Sequence, residues 1–175
     1  HVHANDIEFD AYLANDRTLA DPEVVAVERG GRVLLRVING AGATVFWIDT
    51  GALQARLVAV DGHSVTPVQG RRFGLAMGQR IDLLVDVPAA GGAFPILALR
   101  EGARERAGVV LATPGAAVKR VAPLSDAAHP AFGLAQEAGL RAATPLAPRR
   151  ADRTHTLALT GAMAGYTWSF DDRPW

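Results

Sequence analysis

Short apolar runs, broken by turn-forming residues, constrain the fold of this chain more than any other feature of its sequence. The clearest run covers residues 81–87, in which Ile81 and Leu83 alternate with Asp82 and Asp86. Successive side chains of a strand point to opposite faces of its sheet, so this run predicts a strand with one buried and one partly hydrated face. Helical periodicity is scarce by comparison.

Other apolar runs predict further strands, over residues 7–13, 24–28, 32–39, 45–49, 57–60, 94–100 and 109–113. Asp61-Gly62 follows one of these runs directly, and an Asp-Gly pair is a strong signal for a two-residue β-hairpin. Short strands separated by Gly, Pro and Asp turns are typical of an antiparallel sandwich or barrel. The sequence therefore predicts an all-β domain.

The composition changes after Thr113. Residues 116–148 are rich in Ala and Pro and show little periodicity, which favours a connector between domains over a helix across residues 132–141. Strand-like patterns return over residues 154–160 and 166–170, followed by a turn at Asp171-Asp172. We interpret this last part as the opening of another domain.

The charge balance argues against nucleic acid as a partner. The chain has 18 basic and 18 acidic side chains, whereas phosphate binding needs a clustered basic excess. No apolar run approaches the roughly 20 residues that span a bilayer, and no signal peptide precedes the first strand. The sequence has no cysteine, which excludes disulfides and thiolate metal sites.

Several phrases occur in a specific order: "DAYLANDRTLADPEVV", "RVLLRVINGAGATVFWID", "LVAVDGHSVTPV" and "GQRIDLLVDV". In order and spacing they resemble the central cupredoxin domain of multicopper oxidases, of the laccase-like and bacterial copper-resistance type. The resemblance covers residues 5–113, and residues 152–175 are similar to the start of a third domain. It implies a cupredoxin-like Greek-key β-sandwich over residues 1–122, free of copper, with an interdomain connector at 123–151 and a further cupredoxin domain beginning at 152–175.

For the parent protein, the resemblance implies a copper-dependent oxidation of phenols or metal ions coupled to reduction of oxygen to water. It also implies flanking cupredoxin domains as partners and a periplasmic or secreted location. In this family the central domain spaces the two copper-bearing domains and supplies no ligands. A blue copper centre needs a cysteine, so we expect this segment to hold no copper and no catalytic or cofactor-binding residue.

The five histidines are the remaining candidate ligands: His1, His3, His63, His129 and His155. Only His1-Val2-His3 matches the His-x-His spacing of the family's ligand pairs, and a flexible terminus or tag remnant is the favoured interpretation of that pair. We interpret His129, in the Ala/Pro-rich segment, and His155, on the apolar side of a predicted strand, as structural residues, since a lone imidazole does not form a metal site.

Asp61, His63 and Ser64 are the residue types of a hydrolytic triad. Neighbours on a strand point to opposite faces, and the sequence lacks the G-x-S-x-G elbow that presents a nucleophilic serine. A polar cluster beside a turn is the better interpretation of these three residues.

Two other classes of function remain open. One is a sandwich-type module that binds protein or glycan without catalysis, for which aromatic residues such as Trp47, Trp168 and Trp175 would have to be exposed together. The other is a small metal-handling protein that uses His1 and His3. The large apolar side chains of the C-terminal tail also predict that the tail folds back, adds to a sheet edge or mediates self-association.

Overall fold

The computed structural model describes residues 9–162 and 165–174, and it divides into two compact units, His1–Pro145 and Leu146–Trp175. Among the described residues, the first unit has nine strands: β1 (Val24–Ala26), β2 (Arg32–Ile38), β3 (Phe46–Asp49), β4 (Ala55–Val60), β5 (His63–Gly70), β6 (Arg72–Leu75), β7 (Arg80–Asp86), β8 (Ala93–Arg100) and β9 (Arg106–Ala112). One short helix, α1 (Ala135–Gly139), follows. The second unit has β10 (Leu159–Ala162), β11 (Thr167–Phe170) and β12 (Arg173–Pro174).

The nine strands form two sheets. The five-stranded sheet has the order β1-β9-β8-β3-β6, and the four-stranded sheet has the order β2-β7-β4-β5. Neighbouring strands are antiparallel except β1 and β9, which are parallel. The chain crosses between the sheets after β1, β2, β3, β5, β6 and β7, which gives the predicted all-β, cupredoxin-like sandwich. No helix in the described part of the chain has the length and apolar character needed to cross a membrane.

The alternation in β7 shows why the two sheets pack together. Ile81 and Leu83 are at most 1% exposed, whereas Asp86 lies in solvent on the other face. The register of β2 against β7 sets Leu35 beside Leu83 and Val37 beside Ile81, so the apolar faces of both strands point inward. Burying aliphatic side chains of this size stabilises the fold by about 1.5–3 kcal/mol each.

The predicted hairpin at Asp61-Gly62 is confirmed. Asp61 has a φ of 49° and Gly62 a φ of 85°, the positive values that a two-residue turn of this type requires at both central positions. The backbone N–H of Arg80 donates to Asp61 Oδ1 at 2.9 Å, and Arg80 Nη2 donates to the Asp61 carbonyl oxygen at 3.2 Å. The turn between β4 and β5 is therefore held from the start of β7.

The predicted strand at residues 7–13 is wrong in its described part, residues 9–13. Aromatic packing replaces a backbone ladder there, because the ring of Tyr12 lies edge-on to Phe46 with the centroids 5.4 Å apart. The strand β6, in turn, was not predicted, and β5 was predicted only through the hairpin turn that precedes it. Most residues of β5 are exposed on both faces, so this edge strand lacks the alternation by which a half-buried strand is recognised.

In the second unit, the predicted strand at 154–160 is wrong over residues 154–158, since β10 begins only at Leu159. The interpretation of His155 as lying on the apolar side of a strand is wrong for the same reason, and this residue is exposed. The strand predicted at 166–170 is confirmed over residues 167–170, and so is the turn at Asp171-Asp172, where φ is 48° and 61°. Described alone, this unit is an antiparallel sheet with the order β10-β11-β12.

Candidate functional site

The potential metal ligands do not converge. His63 is exposed at the start of β5, and His155 is exposed in the second unit. No group of three His, Cys, Asp or Glu side chains in the described residues could hold a metal ion. His1 and His3 lie outside the described residues. A blue copper site uses two His and a Cys, so the described donor set of this cysteine-free chain does not fit that centre.

His129 has a structural environment. Its backbone N–H donates to the Ala103 carbonyl at 2.8 Å, and its own carbonyl accepts from Gly102 at 3.1 Å. Its Nε2 lies 3.2 Å from Ser125 Oγ. The residue follows β9 and is thus fixed, at both its main chain and its ring, with its main chain bonded to the loop between β8 and β9.

The electrostatic surroundings of His129 favour a neutral ring. Burial lowers its pKa, and the positive charges of Arg72 and Arg106 act in the same direction, while Asp49 and Glu105 oppose them. Burial penalises the charged form of an imidazole because it removes hydration from the cation. This histidine therefore behaves as a packed polar residue, in agreement with the interpretation of its sequence.

The carboxylates of β7 are engaged in ion pairs on the outer face of the four-stranded sheet. Asp86 accepts from Arg32 Nε at 2.7 Å and from Arg56 Nη2 at 3.0 Å. The hydrogen bond from Arg32 is the main cause that lowers the pKa of Asp86. Asp82 faces Arg36 at 3.9 Å. Four residues of strand separate Asp82 from Asp86 by about 13 Å, too far for paired carboxylates in acid–base catalysis.

The polar cluster at the β4–β5 turn does not assemble a triad. The Asp61 carboxylate is bonded to the Arg80 backbone, and His63 and Ser64 are both exposed. The three tryptophans do not form a common platform among the described residues either. Trp47 packs against Phe132 with ring centroids 5.4 Å apart. Trp168 belongs to the second unit and is 55% exposed, and Trp175 lies outside the described residues.

A cavity of about 700 Å³ lies between the two sheets where β2 forms the edge of the sandwich. Its walls are mainly apolar and include Tyr12, Leu35, Phe46 and Ile96. Leu34, also in the wall, is 44% exposed. Arg36 is the one charged side chain among the described residues that line the cavity, so the lining brings together no acid–base pair.

Comparison with known proteins gives a consistent result. The multicopper oxidase family model, Cu-oxidase, matches residues 3–122. This chain belongs to the multicopper oxidase family. It is 30% identical over 172 residues to the multicopper oxidase MmcO of Mycobacterium tuberculosis, which is 97% of this chain and 33% of that protein.

Two laccases are also similar to this chain, one in sequence and one in structure. Laccase-1 of Thanatephorus cucumeris is 36% identical over 74 residues, or 41% of this chain and 13% of that laccase. The crystal structure of a laccase from Botrytis aclada superposes with a TM-score of 0.66 at 16% identity, covering 86% of this chain and 29% of the other. At that identity the superposition shows the cupredoxin-type fold alone. The chain spans about one third of the length of MmcO and less of the laccases.

Proposed function

We propose that this chain is the middle segment of a multicopper oxidase, a copper-free spacer whose flanking cupredoxin domains carry the metal. The family match over residues 3–122 of a chain without cysteine is the observation that carries this proposal. A sandwich of this family without the thiolate ligand has kept the fold but not the means to bind blue copper. The remaining role for such a domain is to hold its neighbours at a fixed separation.

Membership of the family implies copper in the parent protein, where bound copper supplies one-electron oxidation of substrate and reduction of oxygen. We assign the parent the oxidation of a phenol or a metal ion, such as cuprous copper, with reduction of oxygen to water. We also assign it a periplasmic or secreted location. The described residues of this chain contribute folded structure to that protein and no ligand.

The second unit supports the same assignment. Leu159 and Trp168 lie on one face of its sheet, because Leu159 pairs with Phe170 and Gly161 pairs with Trp168 in the antiparallel register. Leu159 is 80% exposed and Trp168 is 55% exposed. Such an apolar face is normally covered in a folded domain. We propose that further strands of the parent protein cover it as part of the next cupredoxin domain.

A metal analysis that compares this chain with the full-length parent protein tests the proposal. Both proteins are loaded with copper under the same conditions, dialysed, and measured for copper content, blue-copper absorbance and oxygen consumption with a phenol or cuprous copper. We expect copper, colour and oxygen uptake in the parent, and none of them in this chain. About one tightly bound copper per chain, or oxygen consumption by the chain alone, would overturn the assignment as a spacer. A copper-free, inactive parent would overturn the assignment as an oxidase.

A further inference from the structure

We infer that residues 122–143, here called the strap, are a folded part of the first unit, and that Gln136 is the residue that fastens the strap to the edge of the five-stranded sheet. If the first unit is a spacer, as proposed above, the strap also determines the point at which the chain leaves that spacer. Three successive sets of contacts carry the inference.

The strap begins by pairing with the start of β9. The backbone N–H of Arg106 donates to the Pro123 carbonyl at 2.9 Å, and its Nε donates to the Ala122 carbonyl at 2.6 Å. The Ser125 N–H donates to the Arg104 carbonyl at 2.8 Å. Main-chain bonds of this kind are those of a short strand pair, so the chain turns back onto the sheet directly after leaving it.

An aromatic contact holds the middle of the strap. The Phe132 ring packs on Trp47, whose indole N–H donates to the Pro130 carbonyl at 2.9 Å. The Phe132 N–H donates to Glu101 Oε1 at 2.6 Å. Beneath the ring lies Gly74 in β6, where a Cβ would overlap Phe132. The absence of a side chain at this glycine leaves the space that the ring occupies.

Gln136 then completes the hydrogen bonding of β6. This strand is the last of its sheet, so one side of its backbone has no neighbouring strand in the described sheet. The Gly74 N–H donates to Gln136 Oε1 at 2.8 Å, and Gln136 Nε2 donates to the Gly74 carbonyl at 3.0 Å. A carboxamide has the same donor and acceptor as a peptide group. Its two bonds to one residue reproduce the paired bonds of an antiparallel ladder.

The strap ends on the other sheet. The Thr66 N–H donates to the Arg141 carbonyl at 2.8 Å, and the Ala143 N–H donates to the Ser64 carbonyl at 2.9 Å. The strap thereby adds a short antiparallel bridge to β5, which is the edge of the four-stranded sheet. Sheet edges left open invite pairing with other chains, and the strap covers part of two of them.

Residues 144–157 contrast with the strap, because every one of them is exposed. An exposed segment without packing is where a chain bends most readily. Of the connector predicted at 123–151, the part up to residue 143 belongs to the folded strap. The chain therefore leaves the packed part of the first unit after residue 143 and continues as an exposed segment to residue 157.

Trypsin digestion of the intact chain under native conditions tests the strap, because the protease cleaves after arginine. Arg149, Arg150 and Arg153 lie in the exposed segment and should be cut rapidly. Arg141 should be protected, since its carbonyl accepts from Thr66 in β5 and its guanidinium donates to Ala138 and Leu140 within the strap. Cleavage sites and rates are followed by mass spectrometry of samples taken over time.

The decisive variant is Gln136→Glu. A carboxylate cannot donate to the Gly74 carbonyl, and it places negative charge against that oxygen, so the strap should open more often. We expect cleavage after Arg141 to become about tenfold faster, the change that follows from losing roughly one such hydrogen bond when cleavage tracks the open population. Gln54→Glu is the matched control, because Gln54 is exposed and lies outside the strap. It should leave the Arg141 rate unchanged.

Gly74→Ala gives an independent test, since the new methyl group must displace Phe132 while Gln136 is intact. We expect it to accelerate cleavage after Arg141 as well, while circular dichroism shows the sandwich still folded. Cleavage of the unmodified chain after Arg141 as fast as after Arg149 would overturn the inference. Equal Arg141 rates in Gln136→Glu and Gln54→Glu would overturn the role of Gln136. The copper measurement is independent of these rates, so the strap and the spacer function can fail separately.

Discussion

Leu83 and Leu84 are neighbours on β7, yet they lie on opposite faces of the four-stranded sheet. Leu83 is 0% exposed and pairs with Leu35 across the buried face. Leu84 is only half-buried and pairs with Leu34 on the outer face. Truncation of either residue to Ala removes the same atoms from the same strand. The pair of variants therefore isolates the effect of the face on which the side chain lies.

The two substitutions should differ widely in cost. Leu83→Ala removes a fully buried side chain from between two sheets and leaves a cavity, which costs about 2–5 kcal/mol. Leu84→Ala loses the apolar cross-strand pair with Leu34 on the outer face, worth roughly 0.2–1 kcal/mol, together with partial burial. We expect the free energy of unfolding to fall at least about 1 kcal/mol further in Leu83→Ala than in Leu84→Ala. For a chain of this size, each kcal/mol lowers the Tm by about 2–4 °C.

Urea denaturation followed by circular dichroism, with thermal scans of the same samples, measures both variants against the unmodified chain. The comparison measures stability only if both variants show a folded baseline and the same slope of unfolding free energy against urea concentration as the unmodified chain. Equal losses for the two variants, or a larger loss for Leu84→Ala, would show that β7 does not present the face described here to the core. The register of the whole four-stranded sheet would then be wrong, because a shift of one residue exchanges its faces.

Two further predictions concern the turn and the pH response. Gly62→Val should lower the free energy of unfolding by more than about 1 kcal/mol, because φ is positive at Gly62 and a β-branched residue tolerates that conformation poorly. Gly42→Val is the control, since a Cβ would have no atom within 4 Å at either glycine. Equal urea midpoints for the two variants would contradict a backbone cause. Burial, and then Arg72 and Arg106, hold the pKa of His129 below its ordinary value of 6.5. The unfolded chain therefore binds this proton first, and the stabilising contribution is present above pH 6.5 and lost as pH falls through the folded pKa. His129→Gln should reduce the decline of the urea midpoint below that pH, and an unchanged decline would exclude this histidine as its source.

Local features that depend on one segment were predictable from the sequence. The alternation of Ile81 and Leu83 with charged residues identified β7, since a strand exposes its side chains to two faces in turn. Asp61-Gly62 and Asp171-Asp172 marked turns, because these residue types accept positive φ at low cost. The sequence phrases that resemble the family are made of such segments. They identified the fold by their order along the chain, without knowledge of the contacts between them.

Tertiary contacts decided the features that no single segment encodes. The apolar pattern over residues 154–158 predicted a strand, but β11 ends at Phe170, opposite Leu159, so the described second unit offers no strand beside that pattern. The strand β5 is mostly exposed, and it exists because β4 supplies a ladder for it. A strand needs a partner for its backbone groups, and the sequence of one strand does not name that partner.

The packing of the strap could not be predicted from the sequence. Residues 122–143 have the composition of a loose connector, and neither Gln136 nor Gly74 stands out in the sequence. Their contact spans 62 positions and depends on β6 being the edge of its sheet. The sequence by itself determined the sandwich, its main turns and the lack of a thiolate ligand, because these follow from local pattern and composition. Only the folded structure decided which backbone edge was left open and which distant side chain closes it, because an unpaired peptide group exists only once the strands have assembled.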